Sequence, residues 1–390
     1  MDSSCLGHER WLARGVVDRI SGRARIAFVA ETGASLQEAR VVADHGEASR
    51  VMLGWLNANG LINTHEPLGV GHRIIHGGHQ FSEPTLIDEE MVAAIEALAE
   101  LAPLHNRSAL EAFRALRAAL GPSVPMVAVF DTAFHRTLPE WAYRYAIPRE
   151  LTVKHHIRRY GFHGLAHRYM VERFVTLTGR PVKHTKLITL QLGSGCSATA
   201  VKRGQSVETS MGFTPVEGLI MGTRSGDVDP TLAHFLARRE GVATETVEEW
   251  LNTKSGLLGI SGRSADMREL LDLERKGDEL AALAIDMFCY RVRKYIGSYL
   301  AVLQGAEAIV FGGGIGQNAP QVRERILSGM EWCGLKLDSD RNMAAIGCES
   351  RISSDEAAID IYVIPVDEAL IIARDTVSCL RRKDEERAPL

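Results

Sequence analysis

The sequence contains no apolar run of about 18 residues, the length that a bilayer-spanning helix needs, so no membrane-spanning segment is predicted. The start of the chain, MDSSCLGHERWLARG, has no apolar stretch behind basic residues. A secretory signal peptide is therefore not expected.

Cysteine is scarce, with six in 390 residues and no pair in CxxC spacing. In a chain of this length, such scattered cysteines are typical of reduced thiols in a cytoplasmic protein. The fourteen histidines include no HExxH pattern, and the adjacent His155 and His156 would diverge on any regular element. A zinc site is therefore not expected.

Neither sign of charge dominates, because 45 Lys and Arg residues face 49 Asp and Glu residues, for a net charge of −4. There is no basic block, so nucleic acid is not expected as a partner. An anionic substrate would have to be bound by individual arginines rather than drawn by the field of the whole molecule.

The chain does contain alternating strands and helices, over a length that predicts two domains. Strands are predicted in VPMVAVF, on both sides of the glycine turn in KLITLQLGSGCSATAVKRG, and before the glycines of EAIVFGGGIGQN. This alternation predicts an α/β fold. Apolar spacing near 3.6 predicts helices over Gln37–Asn57, Ser108–Leu120 and Asp278–Leu303. LAPLHN is expected to be a loop, and RRKDEERAPL a solvated tail.

The stretch Glu208–Pro230 is a long glycine-rich segment without helical or strand periodicity, and it carries one arginine, Arg224. A loop of this length in a compact domain is usually functional. Its small residues allow a ligand to approach the backbone, and a guanidinium matches carboxylate or phosphate. The alternative is an ordinary surface loop with a solvated arginine.

Five more stretches accompany that loop: GHRIIHGG, FDTAFH, RRYGFHG, QLGSGCS and FGGGIGQN. Together they resemble the acetate kinase family of acetate and propionate kinases, within the acetate-and-sugar-kinase, Hsp70 and actin superfamily. The resemblance runs from about Gly71 to Asp375. It implies two ribonuclease-H-like, actin-like ATPase domains that face each other across a cleft.

The first domain is expected to comprise residues 1–132 plus 369–390, and the second, with the nucleotide site, residues 133–368. The resemblance also implies a homodimer that uses Mg²⁺ and transfers a phosphoryl group in line from ATP to acetate, giving acetyl phosphate and ADP. Two alternatives stay open. One is the same chemistry on propionate or butyrate, and the other is a nucleotide-binding pseudoenzyme.

Transfer between two anions requires positioning and positive charge. By resemblance, Arg73 binds the substrate carboxylate, and Arg224 and His163 stabilise the transferring group. Asp131 is the matching catalytic aspartate, although an aspartate directly after a strand could simply cap a helix. Glu368 matches a glutamate that helps to bind magnesium. The family usually has Asn-Glu-Glu at that place, whereas this chain has Asp-Glu-Ala.

Three stretches match the family's nucleotide-binding residues. They are Gln191, Leu192, Gly193, Ser194 and Gly195 at the phosphates, and Asp266, Met267, Arg268, Gly314, Ile315, Gly316, Gln317 and Asn318 at the nucleoside. The common family form of the first stretch is His-Leu-Gly-Asn-Gly, so this chain keeps the glycines but lacks the imidazole. Backbone contacts to the phosphates are therefore expected to survive.

Four apolar residues match the walls of the family's substrate pocket: Ile75, Leu104, Phe162 and Pro215. Plain core packing is the alternative for each one. The first is commonly valine in acetate kinases, so isoleucine narrows the pocket and favours a small acid.

The resemblance fails at the N-terminus, where the family has a strand and a turn of the form Asn-Ala-Gly-Ser-Ser-Ser-Leu-Lys. By spacing, about 18 residues are expected to be absent ahead of Arg73. The first domain would then lack its N-terminal strand and expose a hydrogen-bonding edge. A chain translated from Met1 is expected to be poorly soluble or nearly inactive.

Overall fold

The structure is a computed structural model that describes residues 9–62, 68–98 and 103–387, apart from the side chains of residues 103–105, 384, 386 and 387. The chain divides into two compact units. Unit 1 comprises Met1–Ala133 and Glu368–Leu390, and unit 2 comprises Phe134–Asp367. No helix in the described part is both long and apolar enough to cross a membrane.

Unit 1 begins with an antiparallel sheet of β1 (Ala13–Asp18), β2 (Gly22–Ala30) and β3 (Ser35–Val42), with β2 in the middle. Side chains along β2 alternate between buried and more exposed positions, as expected of a sheet with one covered face. The buried residues Ile26 and Phe28 belong to a core cluster that includes α1 (His45–Ala58).

The helix predicted over Gln37–Asn57 is wrong in its first part, because residues up to Val42 pair with β2. The helix begins only after Asp44, whose side chain accepts a hydrogen bond from the backbone N–H of Glu47. Pairing with a neighbouring strand therefore overrides the local helical spacing.

The second sheet of unit 1 has β6 (Met126–Phe130) in the middle, with β4 (Val70–Ile74) parallel on one side and β5 (Thr85–Leu86) antiparallel on the other. All five residues of β6 are buried. Helices α2 (Glu89–Ala97) and α3 (Pro103–Leu120) belong to this unit.

The loop predicted in LAPLHN is wrong from Pro103 onward, because α3 begins there. Proline is well tolerated in the first turn of a helix, where its missing N–H costs no hydrogen bond. Asn106 therefore lies in the helix, and its side-chain amide bonds to the backbone N–H and carbonyl of His76.

Unit 2 is built on a six-stranded sheet whose order is β11-β12-β10-β7-β8-β9. Its strands are β7 (Lys186–Leu192), β8 (Cys196–Lys202), β9 (Gln205–Thr209), β10 (Ala308–Gly312), β11 (Ser350–Arg351) and β12 (Asp360–Val363). The strands β7, β8 and β9 are antiparallel neighbours, while β10 runs parallel to β7 and β12 parallel to β10. This ribonuclease-H-like order confirms the predicted α/β class.

The helices of unit 2 cover the sheet and connect its strands. They are α4 (Glu140–Tyr143), α5 (Arg149–Lys154), α6 (Gly164–Thr178), α7 (Thr231–Glu240), α8 (Thr244–Thr253), α9 (Gly256–Ser261), α10 (Met267–Arg275), α11 (Glu279–Leu303), α12 (Gly313–Asn318), α13 (Pro320–Leu327) and α14 (Ser339–Ala344). The segment Glu208–Pro230 was predicted to lack regular structure. Residues 210–230 form neither helix nor strand, whereas Glu208 and Thr209 are the last residues of β9. We call residues 210–230 the arginine loop, after Arg224.

The chain then returns to unit 1 with α15 (Glu368–Arg387). The tail predicted from Arg381 is wrong up to Arg387, because those residues continue the helix. Inside unit 1, α15 packs closely on β4. A methyl group on Gly71 would lie 2.4 Å from Thr376 Oγ1 and 2.5 Å from Ile372 Cγ2, so only glycine fits there.

Candidate active site

Unit 1 places three predicted site residues together at the carboxyl ends of two parallel strands. Arg73 is the fourth residue of β4, and Asp131 directly follows β6, its parallel neighbour. The guanidinium donates from Nε to Asp131 Oδ1 at 3.0 Å and from Nη2 to Oδ2 at 2.7 Å. Its Nη1 lies 3.4 Å from Oε2 of Glu368, the first residue of α15. We call these three residues the Arg73 cluster.

The Arg73 cluster holds two carboxylates against one guanidinium. Burial opposes the charge of Arg73, but Asp131 and Glu368 outweigh it and raise the pKa of the guanidinium above its ordinary value. Burial also raises the pKa of Glu368, an effect that Asp131 reinforces and Arg73 opposes. With both carboxylates ionised, the cluster has one negative charge in excess, which a bound cation would balance.

The paired geometry limits how Arg73 can bind a substrate. Asp131 uses the Nε–Nη2 edge of the guanidinium, so a second carboxylate would have to approach the Nη1–Nη2 edge. Ile75 lies two residues beyond Arg73 and is half-buried. This partial burial is compatible with a pocket wall, whereas the side chain of Leu104 lies outside the described residues.

Unit 2 places the other predicted cation, Arg224, in the arginine loop. Its Nη1 donates to the carbonyl of Pro215 at 3.2 Å. In the described part of the chain, no carboxylate lies within salt-bridge distance of Arg224. Burial lowers the pKa of this guanidinium below its ordinary value. A half-buried arginine without a carboxylate is suited to receive an external anion.

His163 faces the same place as Arg224. It precedes α6 in the left-handed conformation, with φ 56° and ψ 27°, which is uncommon for a residue other than glycine. A methyl group on Gly195 would lie 3.3 Å from His163 Nε2 and 3.6 Å from Arg224 Nη1. The imidazole and the guanidinium therefore converge on the backbone of Gly195, where a side chain would intrude.

The predicted phosphate residues lie at the end of β7 and in the turn that follows it: Gln191 and Leu192 end the strand, and Gly193, Ser194 and Gly195 form the turn before β8. Gly193 N–H donates to the carbonyl of Gly195 at 3.1 Å, and Gly222 N–H of the arginine loop donates to the carbonyl of Ser194 at 2.9 Å. A methyl group on Gly193 would lie 3.8 Å from the backbone nitrogen of Gly314 in α12. The two hydrogen bonds fix the shape of the turn, and its small residues leave room for a phosphate to approach the backbone.

Two side chains at the end of β7, those of Gln191 and Leu192, offer different contacts to a ligand. Gln191 Oε1 is buried and has no hydrogen-bond partner among the described residues, so this oxygen is available to accept a hydrogen bond from a ligand. Leu192 is fully buried and can contribute only its backbone. The rest of the predicted nucleoside segment on α12, Ile315, Gly316, Gln317 and Asn318, follows directly from the turn's neighbour Gly314.

The second predicted nucleoside segment caps α10. Asp266 accepts from the backbone N–H of Arg268, which also forms an ion pair with it. The Arg268 side chain is exposed, whereas Met267 is buried, so Met267 could reach a nucleotide only through its backbone. The carbonyl of Ala265 lies 3.2 Å from a methyl group placed on Gly222, so this segment adjoins the arginine loop.

The two remaining apolar residues predicted for the substrate pocket, Phe162 and Pro215, lie in different surroundings. The ring of Phe162 is buried in unit 2, and its carbonyl lies 2.9 Å from His135 Nε2. Pro215 is half-buried and contacts Arg224 through its own carbonyl. The phenylalanine side chain fits core packing, while the proline lies next to the cation of the loop.

Sequence reasoning missed the residues that hold the arginine loop. Glu217 in the loop accepts from Arg159 Nη2 at 2.6 Å and from the hydroxyl of Tyr145. Burial, followed by the charge of Glu217, raises the pKa of Tyr145. Arg291 on α11 donates to the carbonyl of Gly218 at 2.9 Å. The sequence signal was the single glutamate of the arginine loop.

Comparison with known proteins places these features in a family. The Acetokinase family profile matches residues 3–374. The acetate kinase of Solibacter usitatus is 47% identical over 378 residues, which cover 95% of this chain and 91% of the relative. The crystal structure of Porphyromonas gingivalis acetate kinase is 40% identical with a TM-score of 0.86, covering 95% of this chain and 93% of that one. A propionate kinase structure from Francisella tularensis subsp. tularensis SCHU S4 is 38% identical with a TM-score of 0.86, covering 93% of this chain and 92% of that one.

Proposed function

The chain belongs to the Acetokinase family, and from this we propose that it catalyses the ATP-dependent, reversible phosphorylation of acetate to acetyl phosphate. The observation that carries the proposal is the convergence of His163 and Arg224 on Gly195, with no carboxylate in the described part of the chain neutralising the arginine. This arrangement suits a transferring phosphoryl group, whose negative charge must be stabilised as it moves.

The charged and glycine residues predicted for the site have distinct tasks in this proposal. Arg224 and His163 stabilise the transferring group, and the backbone of Gly193–Gly195 binds the phosphates of the nucleotide. Arg73 binds the carboxylate of acetate through its Nη1–Nη2 edge, while Asp131 fixes the orientation of the guanidinium. The nucleoside is held by Asp266–Arg268 and Gly314–Asn318.

Magnesium is proposed as the metal that accompanies ATP. Glu368 and Asp131 supply the oxygen donors that Mg²⁺ prefers. One or two carboxylates are enough, because substrate phosphates and water complete the shell of this ion. When bound, Mg²⁺ would neutralise phosphate charge.

The decisive experiment measures ADP and acetyl phosphate together, with ATP and Mg²⁺ and a series of acids. We expect both products to form in equal amounts with acetate, less with propionate and little with butyrate, because Ile75 narrows the pocket. Ile75→Ala should shift kcat/KM toward propionate, since one methylene in a pocket is worth about 1–3 kcal/mol.

The same measurement separates the alternatives. A wild-type preference for propionate by kcat/KM would make the propionate kinase of Francisella tularensis the better guide to substrate. Nucleotide binding without ADP formation for any acid would identify a pseudoenzyme. Ile26→Ala, a truncation in the core cluster of β2 and α1, which contains no residue of the Arg73 cluster, is the control, because it should lower stability without changing the ratio of the two acids.

A homodimer in the cytoplasm completes the proposal. Helix α11 exposes Leu280, Leu283, Met287 and Tyr290, an apolar stripe with the alternating three- and four-residue spacing typical of paired helices. The five cysteines in the described part of the chain are free thiols, as in reducing compartments. We propose that the stripe meets a second copy of the chain.

Light scattering coupled to size exclusion tests the dimer. We expect a mass of about twice 42.8 kDa for the wild type, and a shift toward the monomer for Met287→Glu combined with Tyr290→Glu, because buried charges without partners oppose association. Leu232→Glu with Phe235→Glu on α7 is the matched control, since those residues are also exposed and apolar. A monomeric wild type would contradict the proposal.

A further inference from the structure

The His163 imidazole is the first member of a buried chain of hydrogen bonds. Its Nδ1 lies 2.9 Å from Ser197 Oγ, which lies 2.8 Å from His167 Nε2. His167 Nδ1 lies 2.7 Å from Thr189 Oγ1, which in turn donates to the carbonyl of Thr199 at 3.4 Å. We call His163, Ser197, His167 and Thr189 the imidazole relay. Its last three members are fully buried.

The Thr199 carbonyl at the end of the imidazole relay determines which atom donates in each hydrogen bond of the relay. A carbonyl can only accept, so the Thr189 hydroxyl donates to it and its oxygen accepts from His167 Nδ1–H. Burial, followed by the neighbouring imidazoles, lowers the pKa of His167 well below its ordinary value, so this ring carries one proton. Its Nε2 must then accept from the hydroxyl of Ser197.

The donor in the bond between Ser197 and His167 also determines which nitrogen of His163 carries the proton. Because the single proton of the Ser197 hydroxyl points to His167, the serine oxygen is left to accept from Nδ1–H of His163. The opposite direction would leave two oxygens, Thr189 Oγ1 and the Thr199 carbonyl, in contact without a proton between them. Only the first direction gives every contact one donor and one acceptor.

We propose that Ser197 and His167 are positioning residues that fix His163 as an Nδ1–H donor, so that it meets a transferring phosphoryl group as the imidazolium. The neutral ring in this tautomer presents a lone pair at Nε2, and a lone pair repels an anionic oxygen. The imidazolium presents an N–H there instead. The identity of the anion rests on the proposed function, but the tautomer does not.

Two groups that can carry a positive charge, Arg224 and His163, converge on Gly195. Arg224 is always charged, while His163 is charged only when it holds a second proton. An arriving phosphoryl group favours that second proton, and Ser197 favours it as well by accepting from Nδ1–H. Without Ser197, the ring could hold its proton on Nε2 and meet the anion as a weaker, neutral donor.

The tautomer can be read directly from long-range ¹H–¹⁵N spectra of the full chain labelled with ¹⁵N-histidine. The spectra are recorded above pH 8, where imidazoles are neutral, and His163 signals are assigned with His163→Gln. We expect the Nδ1–H tautomer in the wild type. Ser197→Ala should move His163 toward Nε2–H, the form favoured without a partner at Nδ1, and lower kcat about tenfold with acetate KM within about twofold.

Ser353→Ala is the control, because it also removes a buried serine hydroxyl, whose Oγ lies 3.4 Å from Asp360 Oδ1. It should leave the His163 signals unchanged. A wild-type spectrum with His163 as Nε2–H overturns the proposal, and this result needs no variant that might fail to fold. If the wild type shows the Nδ1–H form but makes no acetyl phosphate, the relay stands and the proposed function fails.

Discussion

Arg224→Ala is expected to lower kcat for acetyl phosphate formation by about 10³-fold or more, with the protein still folded. Arginines that stabilise a transferring phosphoryl group contribute about 10³–10⁵ to the rate. Arg224 donates inside the protein only to the carbonyl of Pro215 and to Met221 Sδ, so its removal leaves no charged partner stranded in the described part of the chain. The loss should therefore appear in turnover rather than in the melting temperature.

The measurement is the initial rate of acetyl phosphate formation, with the melting temperature recorded for each variant. Arg224→Lys should recover only part of the rate, because an ammonium keeps the charge but not the planar fork. Arg238→Ala, an exposed arginine of α7, should leave the rate unchanged. If Arg224→Ala turned over at near wild-type rates, the arginine would be removed from the phosphoryl site.

Asp131→Ala is expected to lower kcat/KM for acetate by about 10²-fold or more and to reduce the free energy of unfolding by about 1–3 kcal/mol. The carboxylate is 0% exposed and accepts two hydrogen bonds from Arg73. Removing it leaves a guanidinium that is 34% exposed, so water and Glu368 limit the loss of stability. The freed side chain should also lose its orientation, which raises the acetate KM.

Asp355→Ala is the matched control, because Asp355 also accepts twice from one guanidinium, that of Arg341, but is 73% exposed. Surface pairs of this kind contribute about 0–1 kcal/mol. Urea unfolding and acetate kinetics of the two variants give the comparison. An Asp131→Ala variant with unchanged acetate KM would mean that Asp131 does not orient Arg73 toward the substrate.

The strands of both units were predictable wherever a continuous apolar run is followed by glycine or aspartate. VPMVAVF and EAIVFGG are such runs, and both are central strands. The region Gln37–Val42 was not predictable, because its side chains also fit a helix and only the pairing with β2 decides its structure. Local spacing cannot report a partner that lies elsewhere in the sheet.

The candidate site also combines features that the sequence predicts with features that depend on contacts between distant segments. Motif resemblance identified Arg73 and Asp131 separately, but the ion pair between them follows from the parallel register of β4 and β6. The contacts of Glu217 with Arg159 and Tyr145 join positions 58 and 72 residues apart. Such contacts depend on how distant segments pack, and no spacing rule within one segment encodes them.

The arginine loop is held by its own backbone before any ligand arrives. The carbonyls of Met221, Gly222 and Thr223 accept from the backbone N–H groups of Leu257, Leu258 and Ser255 at the start of α9, and Ser225 N–H donates to the carbonyl of Leu251. Gly256 makes this possible, since a methyl group there would lie 2.2 Å from the carbonyl of Met221.

Little conformational entropy is therefore left for a substrate to remove from this segment, so binding energy can act on the reacting groups instead of on ordering a disordered loop. The N–H groups of Met221, Gly222 and Ser225 donate to backbone carbonyls. In hydrogen–deuterium exchange, these three amides should already be protected in the free protein, and adding nucleotide should slow their exchange only slightly. For a protein engineer, the loop is then a rigid scaffold: exchanging single side chains around Arg224 is a safer route to new specificity than changing the length of the loop.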